Sequence, residues 1–120
     1  MEEKILYKDL SYRINGILFK VQNELGRYSR EKQYGDSFQK KLLENKVDFK
    51  REARISDSGN IADFIIEQVI VVELKAKPFV TKEDYYQIQR YLQSTGLKLG
   101  LLVNFRNEYL KPIRVIRVDR

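Results

Sequence analysis

The chain has 120 residues, of which 42% are hydrophobic and 33% are charged, and its formal net charge is +6. This length allows one domain, residues 1–120, and the composition is that of a soluble globular protein. The chain has no cysteine and no histidine, which excludes disulfides, thiolate metal sites and mechanisms that need a cysteine nucleophile or a histidine base. Any bound metal must therefore be held by oxygen atoms, which favours magnesium, manganese or calcium.

The excess of positive charge suits a polyanionic partner such as nucleic acid, although many ordinary basic proteins reach the same charge. No apolar run approaches the ~18 residues of a membrane span. Residues 1–4 have no apolar stretch of the signal-peptide type. We therefore expect no membrane partner and a cytoplasmic location, with which the absence of cysteine is compatible.

Two helices are predicted in the first part of the chain. Apolar residues recur at offsets of three, four and seven over residues 8–25, which predicts an amphipathic helix that ends at Gly26. A second helix is expected over residues 30–46, although Gly35 in its interior weakens that pattern. The apolar face of this second helix comprises Tyr34, Phe38 and Leu42.

The period then changes to that of strands. Residues 47–55 alternate apolar and charged side chains, as a half-exposed strand does, and residues 57–60 carry a turn signal. Residues 61–66 and 69–75 are apolar runs on either side of Glu67-Gln68, which predicts a hairpin.

The last part of the chain alternates between helix and strand. A helix is expected over residues 81–94, ended by Gly96, and strands are expected over residues 98–104 and 113–118. The predicted order is therefore ααβββαββ. A crossover through this helix should make the strand at 69–75 parallel to the strand at 98–104.

Two charges interrupt the most apolar of these strands, in the run Ile-Val-Val-Glu-Leu-Lys. Residues i and i+2 of a strand point to the same face, so Glu73 and Lys75 share one side of a strand that belongs in the core. Burying both is costly unless they pair with each other or with another group, such as a metal ion. Asp63 is the candidate second carboxylate, because it too lies within an apolar strand.

The register of the hairpin decides whether the two carboxylates meet. A two-residue turn at Glu67-Gln68 would place Asp63 opposite Val72, with Glu73 on the other face of the sheet. A three-residue loop, or a bulge, would place Asp63 directly opposite Glu73. Directly opposite side chains have Cβ atoms ~5 Å apart, close enough for both carboxylates to hold one cation.

Two interpretations of Lys75 remain open at this stage. Its ammonium could orient a water nucleophile beside a metal ion or neutralise charge that develops on a phosphate. Alternatively, Lys75 could form a plain salt bridge with Glu73 or Asp63 at the end of the sheet.

Polar residues on two helices could join this site. Gln87 and Tyr91 are one turn apart and share a face of the third helix, and Glu31 and Tyr34 share a face near the start of the second. The plainer interpretations are a surface glutamine with a partly exposed tyrosine, and a glutamate that interacts with a helix dipole.

Basic residues and tyrosines could serve a nucleic-acid partner. Eight tyrosines offer surfaces on which bases could stack. Basic residues could follow phosphates, although solvated helix and strand faces explain most of them equally well. They are concentrated at Arg27, Arg30, Lys32, Lys40, Lys41, Lys46, Lys50, Arg51, Arg54, Arg114, Arg117 and Arg120.

The assembled pattern resembles the PD-(D/E)XK nuclease superfamily and, more closely, its small GxxExxY branch. The glycine of that name motif is replaced here by Tyr28, which changes the loop before the second helix. The matching residues are Glu31 and Tyr34, Asp63, the Glu73-Leu74-Lys75 motif after nine intervening residues, the QxxxY motif Gln87 to Tyr91, and the segment Ser94 to Phe105.

The resemblance implies a restriction-endonuclease-like α/β fold, with a central mixed sheet of four or five strands flanked by helices. It also implies a magnesium site, with manganese as a substitute. The implied metal ligands are Asp63, Glu73, Glu31 and the carbonyl of Leu74.

The remaining implied roles concern the reaction, hydrolysis of a DNA phosphodiester bond by a metal-activated water. Lys75 would position that water, while Gln87 and Tyr91 would support the site or contact the phosphate. Such nucleases often form homodimers, and this chain could do so. Two alternatives stay open: a nuclease-like module that binds nucleic acid or protein without cleaving, and an α/β domain whose charges serve stability alone.

Overall fold

The computed structural model describes residues 5–55 and 59–119. Its elements follow the order ααβββαββ, which confirms the predicted order and the α/β class. The predicted turn at residues 57–60 lies partly outside the described residues. The elements are α1 (Lys8–Leu25), α2 (Glu31–Glu44), β1 (Phe49–Ile55), β2 (Asn60–Ile66), β3 (Ile70–Lys75), α3 (Lys82–Thr95), β4 (Leu99–Asn104) and β5 (Ile113–Ile116).

The five strands form one mixed sheet in the order β1-β2-β3-β4-β5. β3 and β4 are parallel, as the crossover through α3 predicts, and the other neighbours are antiparallel. The helices α1 and α2 cover one face of the sheet, where Ile14, Phe38 and Val72 belong to one apolar cluster. The helix α3 covers the other face through a second cluster that contains Ile88 and Val71.

The β2–β3 hairpin combines both features that the sequence left open. Glu67 and Gln68 have left-handed φ angles of 51° and 64°, and the Val69 amide donates to the Ile66 carbonyl at 2.9 Å, which closes a two-residue turn. The ladder nevertheless pairs Ile66 with Ile70, so Val69 is one extra residue on the β3 side. Extended by one position beyond the pair Phe64 and Val72, this register places Asp63 opposite Glu73, as the site hypothesis requires.

The strand β1 begins two residues later than predicted, at Phe49. Val47 instead closes the end of α2, because its amide donates to the Leu42 carbonyl while Lys46 has a left-handed φ of 57°. This is a Schellman motif, and Val47 is buried with Leu42 in the core. An alternating pattern cannot distinguish such a capping residue from the first residue of a strand.

The helix α3 lies very close to β4 at Gly100. A Cβ atom built at Gly100 would lie 2.5 Å from Cδ1 and 2.8 Å from Cγ1 of Ile88. Glycine is therefore what allows Ile88 to pack on the sheet here. Within residues 5–55 and 59–119, no helix is long and apolar enough to cross a membrane.

Candidate metal-binding and catalytic site

Asp63 and Glu73 meet where the β2–β3 ladder ends. The paired residues stop at Phe64 and Val72, and side-chain oxygens then replace carbonyls as hydrogen-bond acceptors. The Asp63 amide donates to Oε2 of Glu73 at 2.7 Å, and the Leu74 amide donates to Oδ2 of Asp63 at 2.8 Å. Each carboxylate thus uses one oxygen to satisfy a backbone donor, and in the described part of the chain its other oxygen receives no hydrogen bond.

Both carboxylates lie in surroundings that oppose ionisation. Glu73 is only 3% exposed, and burial together with the nearby charge of Asp63 raises its pKa to about 8. Burial also raises the pKa of Asp63, partly opposed by the hydrogen bond from the Leu74 amide. A cation near these two acids would stabilise the ionised form of both, because each has a raised pKa and one oxygen atom without a hydrogen bond.

A cavity of about 320 Å³ opens beside this pair, between β2 and the start of α2. Its lining includes Asp63, Leu74, Arg51 and Glu31, and the charge of Glu31 contributes to raising the pKa of both Asp63 and Glu73. Over residues 5–55 and 59–119, however, no three acidic, histidine or cysteine side chains are close enough to hold a metal ion together. Glu31 therefore lies at the rim of the site, while Asp63 and Glu73 form its centre.

Gly35 makes room for the arginine of this cavity. A Cβ atom at Gly35 would lie 2.6 Å from Nη2 of Arg51, and the guanidinium donates to Asp36 at 2.7 Å and to Gln39 at 3.0 Å. The glycine that weakened the helix prediction thus has a packing role. It lets a strand arginine rest against α2 beside the carboxylates.

Lys75 lies on the same face of β3 as Glu73, but its partners come from α3. Its Nζ donates to Oε1 of Gln87 at 3.0 Å and lies 3.7 Å from Oδ1 of Asp84. Among the described residues, no ion pair joins Lys75 to Asp63 or Glu73. The plain salt bridge to Glu73 or Asp63 considered from the sequence is therefore not the arrangement observed.

A family model of the PD-(D/E)XK nuclease superfamily matches residues 8–118, a span that includes all eight elements. The chain belongs to the PD-(D/E)XK nuclease superfamily. The comparison with curated proteins finds no match.

A solved structure supports the same fold. The crystal structure of SSO0001 superposes with a TM-score of 0.55 at 20% sequence identity, over 94% of this chain and 59% of that one. At this identity the likeness shows the fold alone. The chain thus spans about 59% of the length of that protein.

Tyr91 brings α3 of this PD-(D/E)XK domain to the carboxylates. Its side chain is buried, and burial together with the charges of Glu73 and Asp63 raises the pKa of its phenol. Gln87, one turn earlier, contacts Lys75. The two residues of the QxxxY motif therefore reach the two halves of the site, the acids and the lysine.

Asp84 is a site residue that the sequence analysis did not propose. Burial would raise its pKa, but hydrogen bonds from Lys77 and from the Thr81 amide hold it below its ordinary value. Its Oδ2 accepts from the Thr81 amide at 2.8 Å and lies 2.5 Å from Nζ of Lys77. The signal was present in the helix start at residues 81–84, but a capping residue gives no indication that it also faces Lys75.

Tyr34 has a structural role in this superfamily domain. Its ring stacks on Phe105, with centroids 4.1 Å apart and planes 6° apart, and its hydroxyl donates to the Gly26 carbonyl at 2.5 Å. It is fully buried. Tyr34 therefore fixes the loop before α2, and through it the position of Glu31.

Proposed function

We propose that this domain is a magnesium-dependent nuclease that hydrolyses DNA phosphodiester bonds with a metal-activated water. The observation that carries the proposal is the pair of facing carboxylates, half-buried Asp63 and buried Glu73, with Lys75 on the same face of the sheet. Membership of the PD-(D/E)XK nuclease superfamily supports the reaction class. We also propose the GxxExxY branch, on the motif residues named above.

The residues present fit a hard divalent cation. The available donors are all oxygens: the free carboxylate oxygens of Asp63 and Glu73, and the backbone carbonyl of Leu74, a residue of the cavity lining. Mg²⁺ is commonly held by one or two carboxylates and keeps several waters, so a third acidic ligand in direct contact is not required. Mn²⁺ accepts the same oxygen donors. We place Glu31 beside this ion from the rim, as a further carboxylate.

The bound ion would supply a water of lowered pKa and would polarise the phosphoryl oxygens. Residues of the chain would orient the attacking water and the phosphate. Lys75, held by Gln87 and Asp84, is placed to hydrogen-bond the attacking water and to counter negative charge that develops on the phosphate. The phenol of Tyr91, whose raised pKa keeps it protonated, can donate a hydrogen bond to a phosphate oxygen.

The charge of the molecule supports a polyanionic substrate. The net charge of +6 favours association with nucleic acid. Arg51 lines the cavity beside Asp63, and Lys32 lies on the same side, at the start of α2. We propose that these cations meet the phosphates that flank the scissile bond.

A cleavage assay tests this proposal. The protein is incubated with single-stranded, duplex and branched DNA, and with RNA, in Mg²⁺, Mn²⁺ or EDTA. We expect cleavage of DNA in either metal and none in EDTA. Asp63→Asn and Lys75→Ala should each lower the rate at least about a hundredfold, because each removes a group that stabilises the transition state.

Matched variants and a binding measurement make the result specific. Glu24→Gln and Lys20→Ala change exposed charges on α1 and should leave the rate unchanged. Titration calorimetry should show Mn²⁺ binding that Asp63→Asn weakens and Glu24→Gln does not. Cleavage that persists in EDTA or in either site variant would contradict the mechanism. Binding of DNA without cleavage in any metal would favour the non-catalytic module instead.

A further inference from the structure

Three aromatic side chains are strongly exposed next to the end of β3, the strand that carries Glu73 and Lys75. Tyr28 is 74% exposed, Phe79 is 79% exposed and Tyr109 is 82% exposed. They belong to three different loops: α1–α2, β3–α3 and β4–β5. Large apolar rings from three separate loops that gather at one place mark a candidate contact surface.

Two of these rings line one cavity, of about 500 Å³, together with Pro78, which directly precedes Phe79. The cavity is also lined by Arg27 and Arg106. We call the surface formed by Tyr28, Phe79 and Tyr109 the aromatic rim. One acidic residue, Glu108, lines the cavity against the two arginines, so its charge balance favours an anion.

The two arginines hold the rim in a fixed shape. Nε of Arg27 donates to the Arg106 carbonyl at 2.8 Å, and Nε of Arg106 donates to the Arg27 carbonyl at 3.2 Å. Both guanidinium carbons lie close to the ring of Tyr28, at 5.3 Å and 5.2 Å from its centroid. The ring is thus positioned by cation–π contacts and still keeps most of its surface open.

The same frame ties the rim to Lys75. Arg106 also donates from Nη2 to the Ala76 carbonyl at 3.2 Å. The buried Asn104 accepts from the Lys77 amide at 3.2 Å and donates to the Lys77 carbonyl at 2.8 Å. Three residues of chain reach at most about 10 Å, so Pro78 of the cavity lies within about 10 Å of Lys75. At about 3.4 Å per nucleotide, this distance corresponds to about three nucleotides.

We infer that the aromatic rim stacks unpaired nucleobases, so that the preferred substrate has a single-stranded segment next to the scissile phosphate. The inference rests on the proposed nuclease function and specifies its substrate class. Aromatic rings beside arginines are the combination that binds single strands, because every base has a face that can stack and the cations meet the backbone. A closed duplex offers no unstacked base to the three rings.

Binding measurements in EDTA test the inference without cleavage. Fluorescence anisotropy compares a blunt DNA duplex with the same duplex carrying a single-stranded tail. We expect the tailed duplex to bind at least about tenfold more tightly to the natural chain, and Tyr28→Ala/Tyr109→Ala to bring this ratio to about one. Tyr28→Phe/Tyr109→Phe should keep the ratio within about twofold, because stacking survives without the hydroxyl groups.

The control is Tyr12→Ala, which removes a tyrosine that is 80% exposed on the first half of α1 and should leave the ratio unchanged. An unchanged ratio in the double alanine variant would overturn the inference, even if the affinities for blunt and tailed duplexes both fell by the same factor. A concentration-dependent dimer in sedimentation that the double variant abolishes would overturn it too, since the rim would then bind a second copy.

Cleavage in Mg²⁺ separates this inference from the proposed function. If the natural chain cleaves tailed and blunt duplexes equally well, and the double variant does the same, the nuclease stands and the rim fails. If the chain binds tailed DNA through the rim in EDTA but cleaves nothing in Mg²⁺, the rim stands and the nuclease fails. If no nucleic acid binds, both are overturned.

Discussion

Glu73 and Asp63 serve the fold and the site with the same side chains. Each accepts a hydrogen bond from a backbone amide at the point where the ladder between β2 and β3 ends. Without these acceptors the amides of Asp63 and Leu74 would lose their partners, which costs about 1–3 kcal/mol for a buried donor. The same bonds fix both carboxylates in place, which is the preorganisation that the proposed metal site needs.

The raised pKa of Glu73 predicts how stability depends on pH. Between the ordinary value of 4.5 and the folded value of about 8, the folded protein holds a proton that the unfolded chain has lost. The contribution is therefore fully present below about pH 4.5, and the free energy of unfolding should fall as pH rises towards 8 in EDTA. Urea denaturation at several pH values measures the slope, and Glu73→Gln should flatten it.

Mg²⁺ provides the internal control for that experiment. The proposed site would bind Mg²⁺ through the deprotonated pair, so Mg²⁺ should stabilise the protein more at pH 8 than at pH 6. The acids whose pKa lies below its ordinary value, Glu24, Asp36 and Asp84, lose their contribution only in more acidic solution and leave this window undisturbed. An identical slope in the natural chain and in Glu73→Gln would show that Glu73 does not carry the effect.

At the scale of single elements, the start of α3 links helix capping to the chemistry of Lys75. Asp84 caps the helix through the Thr81 amide and also lies beside Lys75 and Lys77. The helix therefore cannot move away from the end of β3 without breaking a partly buried network of charges. This coupling holds Gln87 and Tyr91 in register with the carboxylates.

Asp84→Asn tests this coupling. Asparagine can still accept the capping hydrogen bond, but it leaves two lysines without their anion. We expect a loss of about 1.5–3 kcal/mol in the free energy of unfolding, typical of hydrogen bonds to charged groups. Glu24→Gln, which removes an exposed ion pair with Lys41, should cost no more than about 1 kcal/mol. Equal losses in denaturant titrations would argue against a special role for Asp84.

At the scale of the whole molecule, the site depends on how closely α3 lies against the sheet. Gly100 sets that distance, because Ile88 occupies the place where a side chain would stand. Gly100→Ala should destabilise the fold by about 1–3 kcal/mol through overpacking. Ile88→Val removes the methyl group nearest to the new Cβ, so in a double-mutant cycle it should cost less in the Gly100→Ala background than in the natural chain. Strict additivity in thermal or urea unfolding would contradict this packing argument.

The periodicity of apolar residues was enough to predict the helices and the class of the sheet. The offsets of apolar residues place α1 at Lys8–Leu25, the bounds that the structure has, because a helix that packs on one face must repeat its apolar residues. The β-α-β order likewise required the parallel pairing of β3 and β4. Where a local pattern had two meanings, as at Val47, the pattern predicted a strand, and that prediction was wrong.

The sequence by itself determined that Glu73 and Lys75 share a face of a core strand, since side chains alternate along every strand. It could not decide whether Asp63 faces them, because one extra residue in the hairpin reverses the answer. The structure places that residue at Val69. Nor could the sequence assign the partner of Lys75, because Asp84 and Gln87 reach it only after α3 folds back over the sheet. Contacts between distant segments depend on the packing of whole elements, and no local pattern encodes that packing.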